Sequence, residues 1–186
     1  MVQAFWRFAT IYNFEFLALA ALNTIALSAF GCLVGFVLGF LLASVRVTRS
    51  GLAAPARILG LTYAELFRRI PFLVTLFLVF YTFQALGLDV PLFWVAATTT
   101  AVIGTAYLSE VVRAGFAAVP APQWDAAASM NFTLPQTLRY VVLPQAWKTI
   151  LPPAFAFFLS FIKDSALASQ IGVVELTYAA KVFNNR

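Results

Sequence analysis

Histidine is absent from this 186-residue chain, and cysteine occurs once, at Cys32 within an apolar run. These two shortages exclude an intrachain disulfide and any cluster of thiolate or imidazole metal ligands, so no metal site is expected. They also exclude Ser-His-Asp and Cys-His nucleophilic catalysis. No G-x-x-x-x-G-K-[ST] stretch occurs, so the chain builds no Walker A phosphate cradle of its own. Charge is scarce too. Asp, Glu, Lys and Arg make up 10% of the residues, against roughly a quarter in an average soluble domain.

What fills the chain instead is hydrocarbon. Apolar residues make up 62%, phenylalanine alone numbers 20, and mean hydropathy is +0.90. A soluble fold of this length has too little interior to hide that surplus, so the bilayer must supply the apolar surroundings. The net charge of +5 and pI near 9.7 come from arginines scattered between apolar runs. Nucleic-acid binding needs a concentrated basic face, so no nucleic-acid partner is expected. Arginines flanking membrane spans account for the same charge.

Four apolar runs follow one another, at residues 16–45, 58–86, 92–118 and 144–162. The first, about 30 residues, reaches about 45 Å as a helix, long enough to cross a bilayer with tilt. The second contains Pro71. Residues 71–86 alone give about 24 Å, so the helix is predicted to continue upstream through Glu65, Arg68 and Arg69 with a kink at the proline. Residues 1–15 read as an interfacial lead-in. Arg46, Arg49 and Arg57 lie between the first two spans, and Arg139 between the last two. Because basic loops stay cytoplasmic, the N-terminus is expected outside and residues 46–57 and 119–144 inside.

Within that inner segment, residues 123–130 read as a short helix with Trp124, Ala127 and Ala128 available for an apolar face. Asn131 stands where a left-handed residue ends such a helix. Thr133 and Gln136 have capping-box spacing, and Leu134, Leu138, Val141 and Val142 make one stripe of a second helix. Pro144 is predicted to stop that helix where the fourth span begins. Such a pair, tied to the membrane at both ends, reads either as a rigid knob for a soluble partner or as a structured loop and no more.

Asp125-Ala126-Ala127, then Asn131, then Val141-Val142-Leu143-Pro144 resembles the EAA loop of ABC importer permeases. That loop has Glu-Ala-Ala, a glycine four residues on, and Ile-x-Leu-Pro after nine more. Asp125 replaces the glutamate and keeps a carboxylate; Asn131 replaces the glycine and still tolerates positive φ. Tyr63-Ala64-Glu65-Leu66-Phe67-Arg68-Arg69-Ile70-Pro71 is similar to the Y-x-E-L-F-R-x-x-P pattern of the polar amino-acid branch, the histidine, glutamine and glutamate type. Residues 106–115 and the run from Lys163-Asp164-Ser165 through Glu175-Leu176 resemble the same branch. The likeness covers about residues 60–176.

The resemblance implies an all-α membrane protein, a MetI-like helical bundle forming one permease domain over residues 1–186, with a coupling loop at 120–144. Four transmembrane helices are visible; the branch carries a fifth after Glu-Leu, about 30 to 40 residues more. Whether the sequence is shortened there or the subunit lacks that span stays open. Trp124, Asp125, Ala126, Ala127, Asn131, Val141, Leu143 and Pro144 are the implied ATPase-coupling residues. Implied partners are an ABC ATPase dimer holding ATP and Mg, a second permease chain identical or paralogous to this one, and an external solute-binding protein. The implied location is the bacterial inner membrane, and the implied mechanism alternating access. No cofactor and no catalytic residue is expected on this chain.

Charges at membrane depth are costly and normally face protein or water. Lys163, Asp164 and Ser165 are candidates for the substrate path or gate, with a structural ion pair and snorkelling lysine as the alternative. Glu65 with Arg68 and Arg69, and Glu110 with Arg113, have the spacing of pairs on one helical face near the cytoplasmic ends and are expected to be structural, with substrate contact as the alternative. Gly31, Gly35 and Gly39 form a small-residue ridge suited to close packing. Span three, rich in small residues, is expected to face the pathway. Two competing functions differ in class: a non-transporting scaffold or channel subunit, and a hydrolase using Ser165 or Ser169 with Lys163 as base.

Overall fold

The computed structural model describes residues 10–48 and 51–185. Most of the proposed lead-in segment (residues 1–9) and Arg49 therefore lie outside the described residues. Helix α1 spans Ile11–Val47, longer at both ends than the apolar run itself. Its buried residues, among them Ala20, Leu27, Gly31, Gly35, Gly39 and Ala43, recur at intervals of three and four and make one face. That face meets α4 (Leu92–Ala117), the central helix.

Contact between the two is backbone on backbone. A Cβ at Gly35 would lie 2.7 Å from the carbonyl carbon of Gly104, and one at Gly39 would lie 2.7 Å from the amide nitrogen of Ser109. Only glycine lets the helices come this close. The small residues expected to face the pathway are thus largely occupied in packing: Ala96, Ala97, Thr100, Ala101, Gly104 and Thr105 are buried.

Helices α2 (Ala54–Arg69) and α3 (Phe72–Ala85) meet at 113°. A kinked continuous helix was expected there; the structure has a corner. Pro71 disfavours helical backbone at the residue before it, and Ile70 is extended, with φ −83° and ψ 129°. Two tyrosines pin α2 to α4: Tyr63 donates to the carbonyl of Val102 at 2.7 Å, and Tyr107 donates to that of Arg68 at 3.1 Å. The second bond satisfies a carbonyl at the helix end that lacks an intrahelical partner.

After α4 come the short α5 (Ala121–Ser129) and α6 (Leu134–Thr137), and then α7 (Leu143–Asp164). Pro144 does not stop the second short helix, contrary to expectation. A π-helical turn at Leu138–Val142 joins α6 to α7, with the Leu143 amide reaching back to the Leu138 carbonyl. Pro144 then sits in the first turn of the next α-helical stretch, where its missing N–H does least harm. A 3₁₀ segment, Ser165–Ile171, follows α7, and Gly172 at φ 92° turns the chain toward α8 (Leu176–Asn184).

The turn before α8 is buried in protein. Asn23 donates to the Val174 carbonyl at 2.8 Å, and the Leu176 amide donates to the Thr24 hydroxyl at 3.2 Å. Glu175, 1% exposed, accepts from the amides of Thr177 and Tyr178 and caps α8. Irregular backbone at membrane depth requires this kind of protein cover. Among the described residues there is no strand. Helix α1, helix α4 and the continuous helix Leu134–Ile171 are each long and apolar enough to cross a membrane, and the bent α2–α3 pair makes a fourth, broken span.

Candidate functional site

Three groups of residues carry the functional question. The first is the α5–α6 knob. Asn131 has φ 56°, the one non-glycine residue with positive φ among those described. The Phe132 amide bonds to the Ala127 carbonyl at 3.1 Å and the Asn131 amide to that of Ala128 at 2.9 Å. This pair of bonds is a Schellman ending with asparagine in the left-handed position. The Gln136 side chain then accepts the Thr133 amide at 2.8 Å and so fixes the start of α6.

A core cluster welds this knob to the bundle. Ala43 of α1, Val112 and Phe116 of α4, Leu138 and Val142 of the π turn, and Ala146 and Ile150 of α7 are all buried together, with Trp124 and Leu134 packed against them. Ala127 is 2% exposed, whereas Asp125, Ala126 and Ala128 face outward. Ala128, expected on the packed face with Trp124 and Ala127, is exposed because the helix presents only one residue per turn to the core. Val141 and Leu143 are half-buried and Pro144 is exposed. Asp125 enters no ion pair among the described residues and borders two cavities, both also lined by Val47 and Trp124.

The second group is an arginine–glutamate cluster. Glu110 accepts Arg113 and Arg46, the latter at 3.0 Å, and lies 3.8 Å from Arg68. Glu65 holds Arg69 at 2.9 Å and Arg68 at 3.7 Å. The two local pairs legible in sequence are thus one network, joined by Arg68 and by Arg46. The contribution of Arg46, reaching across 64 positions to Glu110, has no local signal in the sequence.

The third group contains Lys163, Asp164 and Ser165. Ser165 is buried and donates to the Ile162 carbonyl at 2.9 Å; Lys163 is exposed. Half-buried Asp164 makes no ion pair within 4.0 Å among the described residues and lines a cavity of about 370 Å³. Arg68, Arg69, Pro71, Tyr107 and Phe157 line the same cavity. The two arginines are expected near a cytoplasmic helix end, whereas Asp164 stands at the far end of α7 from the knob. The α2–α3 corner brings them to one opening, and Tyr107 is a wall residue that motif reading missed. Among the described residues Lys163 makes no hydrogen bond to Ser165 or Ser169. The Ser169 hydroxyl instead donates to the Ala166 carbonyl at 2.7 Å and receives Lys181 at 3.0 Å, so no Lys163–serine nucleophile is assembled.

A bundle of membrane-length helices, with a stiffly attached helix pair at one end and a charged cavity inside, defines a membrane transport subunit. The chain belongs to the family of binding-protein-dependent transport system inner membrane components, whose model matches residues 35–182. It is 36% identical over 163 residues to the L-cystine transport system permease protein TcyB of Bacillus subtilis, covering 88% of this chain and 68% of that one. To the glutamate/aspartate import permease protein GltJ of Escherichia coli it is 31% identical over 170 residues, covering 84% and 68%. A crystal structure of an amino acid ABC transporter with histidines superposes with TM-score 0.82 at 29% identity, over 94% of this chain and 80% of that one. The inward-facing MetNI methionine ABC transporter shares the fold, with TM-score 0.77 at 20% identity over 94% and 90%. The chain is the permease component of an ATP-binding-cassette importer, and ATP hydrolysis belongs to a separate subunit.

Proposed function

We propose that this permease passes an amino acid across the inner membrane, with the zwitterion held at the cavity between Asp164 and Arg68–Arg69. The observation that carries the reading is one half-buried carboxylate, without an ion pair among the described residues, on a cavity that Arg68 and Arg69 also line while pairing with Glu65 and Glu110. An α-amino acid offers the complementary charges: a carboxylate for the arginines and an ammonium for Asp164. The names of its relatives, permeases for cystine and for glutamate or aspartate, agree with that class.

In this reading an ATPase dimer, holding ATP and Mg, grips the exposed side of α5 and α6 around Asp125 and Ala126. Movement of the knob is transmitted to α1, α4 and α7 through the apolar cluster, and the pathway alternates between inward and outward access. A second permease chain, identical or paralogous, completes the pathway, and an external solute-binding protein delivers the substrate. The N-terminus lies outside, since the arginine-rich connections mark the cytoplasmic face. Transport by the reconstituted importer with Asp164→Asn tests the substrate site. Uptake of zwitterionic amino acids is expected to fall at least tenfold at limiting substrate, on the scale of about 1.5–3 kcal/mol for a hydrogen bond to a charged group. Unchanged uptake and unchanged selectivity would remove Asp164 from the path.

A further inference from the structure

The crevice between α1, α2 and α4 carries two cavities that neither the knob nor the Asp164 cavity uses. One is an apolar groove of about 600 Å³, lined by Leu38, Leu41, Leu42, Val45, Tyr63 and Val102. The other is a charged pocket of about 440 Å³, lined by Arg46, Arg57, Glu65, Glu110 and Arg113. Their lining residues are neighbours on each helix. Val45 is followed by Arg46 on α1, Tyr63 and Glu65 are two residues apart on α2, and Thr105 of the groove stands five residues from Glu110 on α4, about 7.5 Å along the axis.

The pocket has a surplus of positive charge. Its three arginines face two glutamates, and Arg68 and Arg69 compete for the same two carboxylates. Among the described residues Arg57 meets no carboxylate within 4.0 Å, and its guanidinium donates to the Thr48 carbonyl at 2.8 Å. The groove below is open from the side. Leu38 and Leu41 are 45% and 55% exposed, so an aliphatic chain can enter between the helices.

We infer that this crevice binds an anionic phospholipid, with the phosphate at Arg57 and the edge of the Arg46–Arg113 cluster and an acyl chain along Leu38, Leu41 and Val45. Neither cavity alone selects such a molecule. Lined by neighbouring residues of the same three helices, the two together match its charged head and its hydrocarbon tail, and basic pockets between spans recognise anionic headgroups in this way. The pocket lies at the end of the bundle that carries the knob. The lipid therefore belongs to the cytoplasmic leaflet, an assignment that rests on the orientation proposed above.

The test is native mass spectrometry of the full chain in detergent, with phosphatidylglycerol and phosphatidylcholine of identical acyl composition offered together. Retention in micelles does not depend on which way the chain faces, so its outcome is separate from that of the orientation. One phosphatidylglycerol per chain is expected, favoured over phosphatidylcholine by at least about fivefold, the weight of one guanidinium near an anionic headgroup. Arg57→Gln is expected to reduce that preference about fivefold, and Arg57→Lys to keep it. Leu41→Gln should weaken retention of both lipids. Equal retention of the two lipids by the unsubstituted chain would overturn the proposal whatever the variants do. So would displacement of the bound lipid by millimolar inorganic phosphate, which would mean that the groove contributes nothing. Absence of any retained lipid, as when a second copy of the chain covers the crevice, would overturn it as well.

Discussion

Gly35→Ala adds a single methyl group and should loosen the whole bundle. The new Cβ would stand 2.7 Å from the Gly104 carbonyl carbon and 2.8 Å from its Cα. Both are backbone atoms, so no side chain can swing aside. Carbon atoms pack comfortably at about 3.5–4.0 Å, so α1 and α4 must separate by roughly 1 Å. A radial gap of that size forfeits up to about half of each dispersion contact along the ridge, and overpacking of this kind costs about 1–3 kcal/mol. Gly51→Ala is the control, because its Cβ would meet nothing within 4 Å. Thermal unfolding in one detergent should show Gly35→Ala lowered by about 2–12 °C relative to Gly51→Ala. Equal midpoints would refute the backbone contact between α1 and α4, and with it the packing on which every other position depends.

Two further outcomes follow from local geometry. Glu110→Gln leaves the Arg46 side chain, only 9% exposed, facing Arg113 and Arg68 without their shared carboxylate. Removing one partner of a largely buried ion pair should cost about 3 kcal/mol, and the same denaturation assay should show a larger loss than for Glu65→Gln, whose pair with Arg69 is more exposed. Asn131→Val puts a β-branched residue at φ 56° and should cost about 1–2 kcal/mol, whereas Asn131→Gly should be neutral or stabilising. Protease accessibility of the α5–α6 connection, compared between the two variants, reports the difference.

Much of this molecule is local, and the local part is readable from sequence. The runs that became α1, α4 and α7 announce themselves by hydropathy, since membrane crossing depends on length and composition alone. The ending of α5 at Asn131 and the start of α6 at Thr133–Gln136 follow from capping chemistry contained within a few residues. What escapes is decided between distant segments. Pro71 signals a break, but the 113° corner depends on where α4 offers Tyr107 to the Arg68 carbonyl. Pro144 resembles a stop because its sequence does not reveal a π turn able to absorb the missing bond. Arg46 looks like a loop charge until the fold brings it to Glu110. The cavity shared by Asp164 and Arg68 was hidden for a related reason: hydropathy assigns depth on the assumption of straight helices, and the α2–α3 corner violates it.

The α5–α6 knob tests the coupling proposal most directly. With Cys32 replaced by serine, Ala126→Cys places one thiol on the outward side of α5, beside Asp125 and away from the welded face that buries Ala127. A short bifunctional crosslinker applied to membranes containing the assembled importer should join this cysteine to the ATPase subunit. The crosslinked complex should lose ATP-dependent uptake while keeping bound nucleotide. A thiol at 126 that reacts only with water-borne reagent, with the ATPase never captured, would contradict the proposal that this helix pair couples the motor to the pathway.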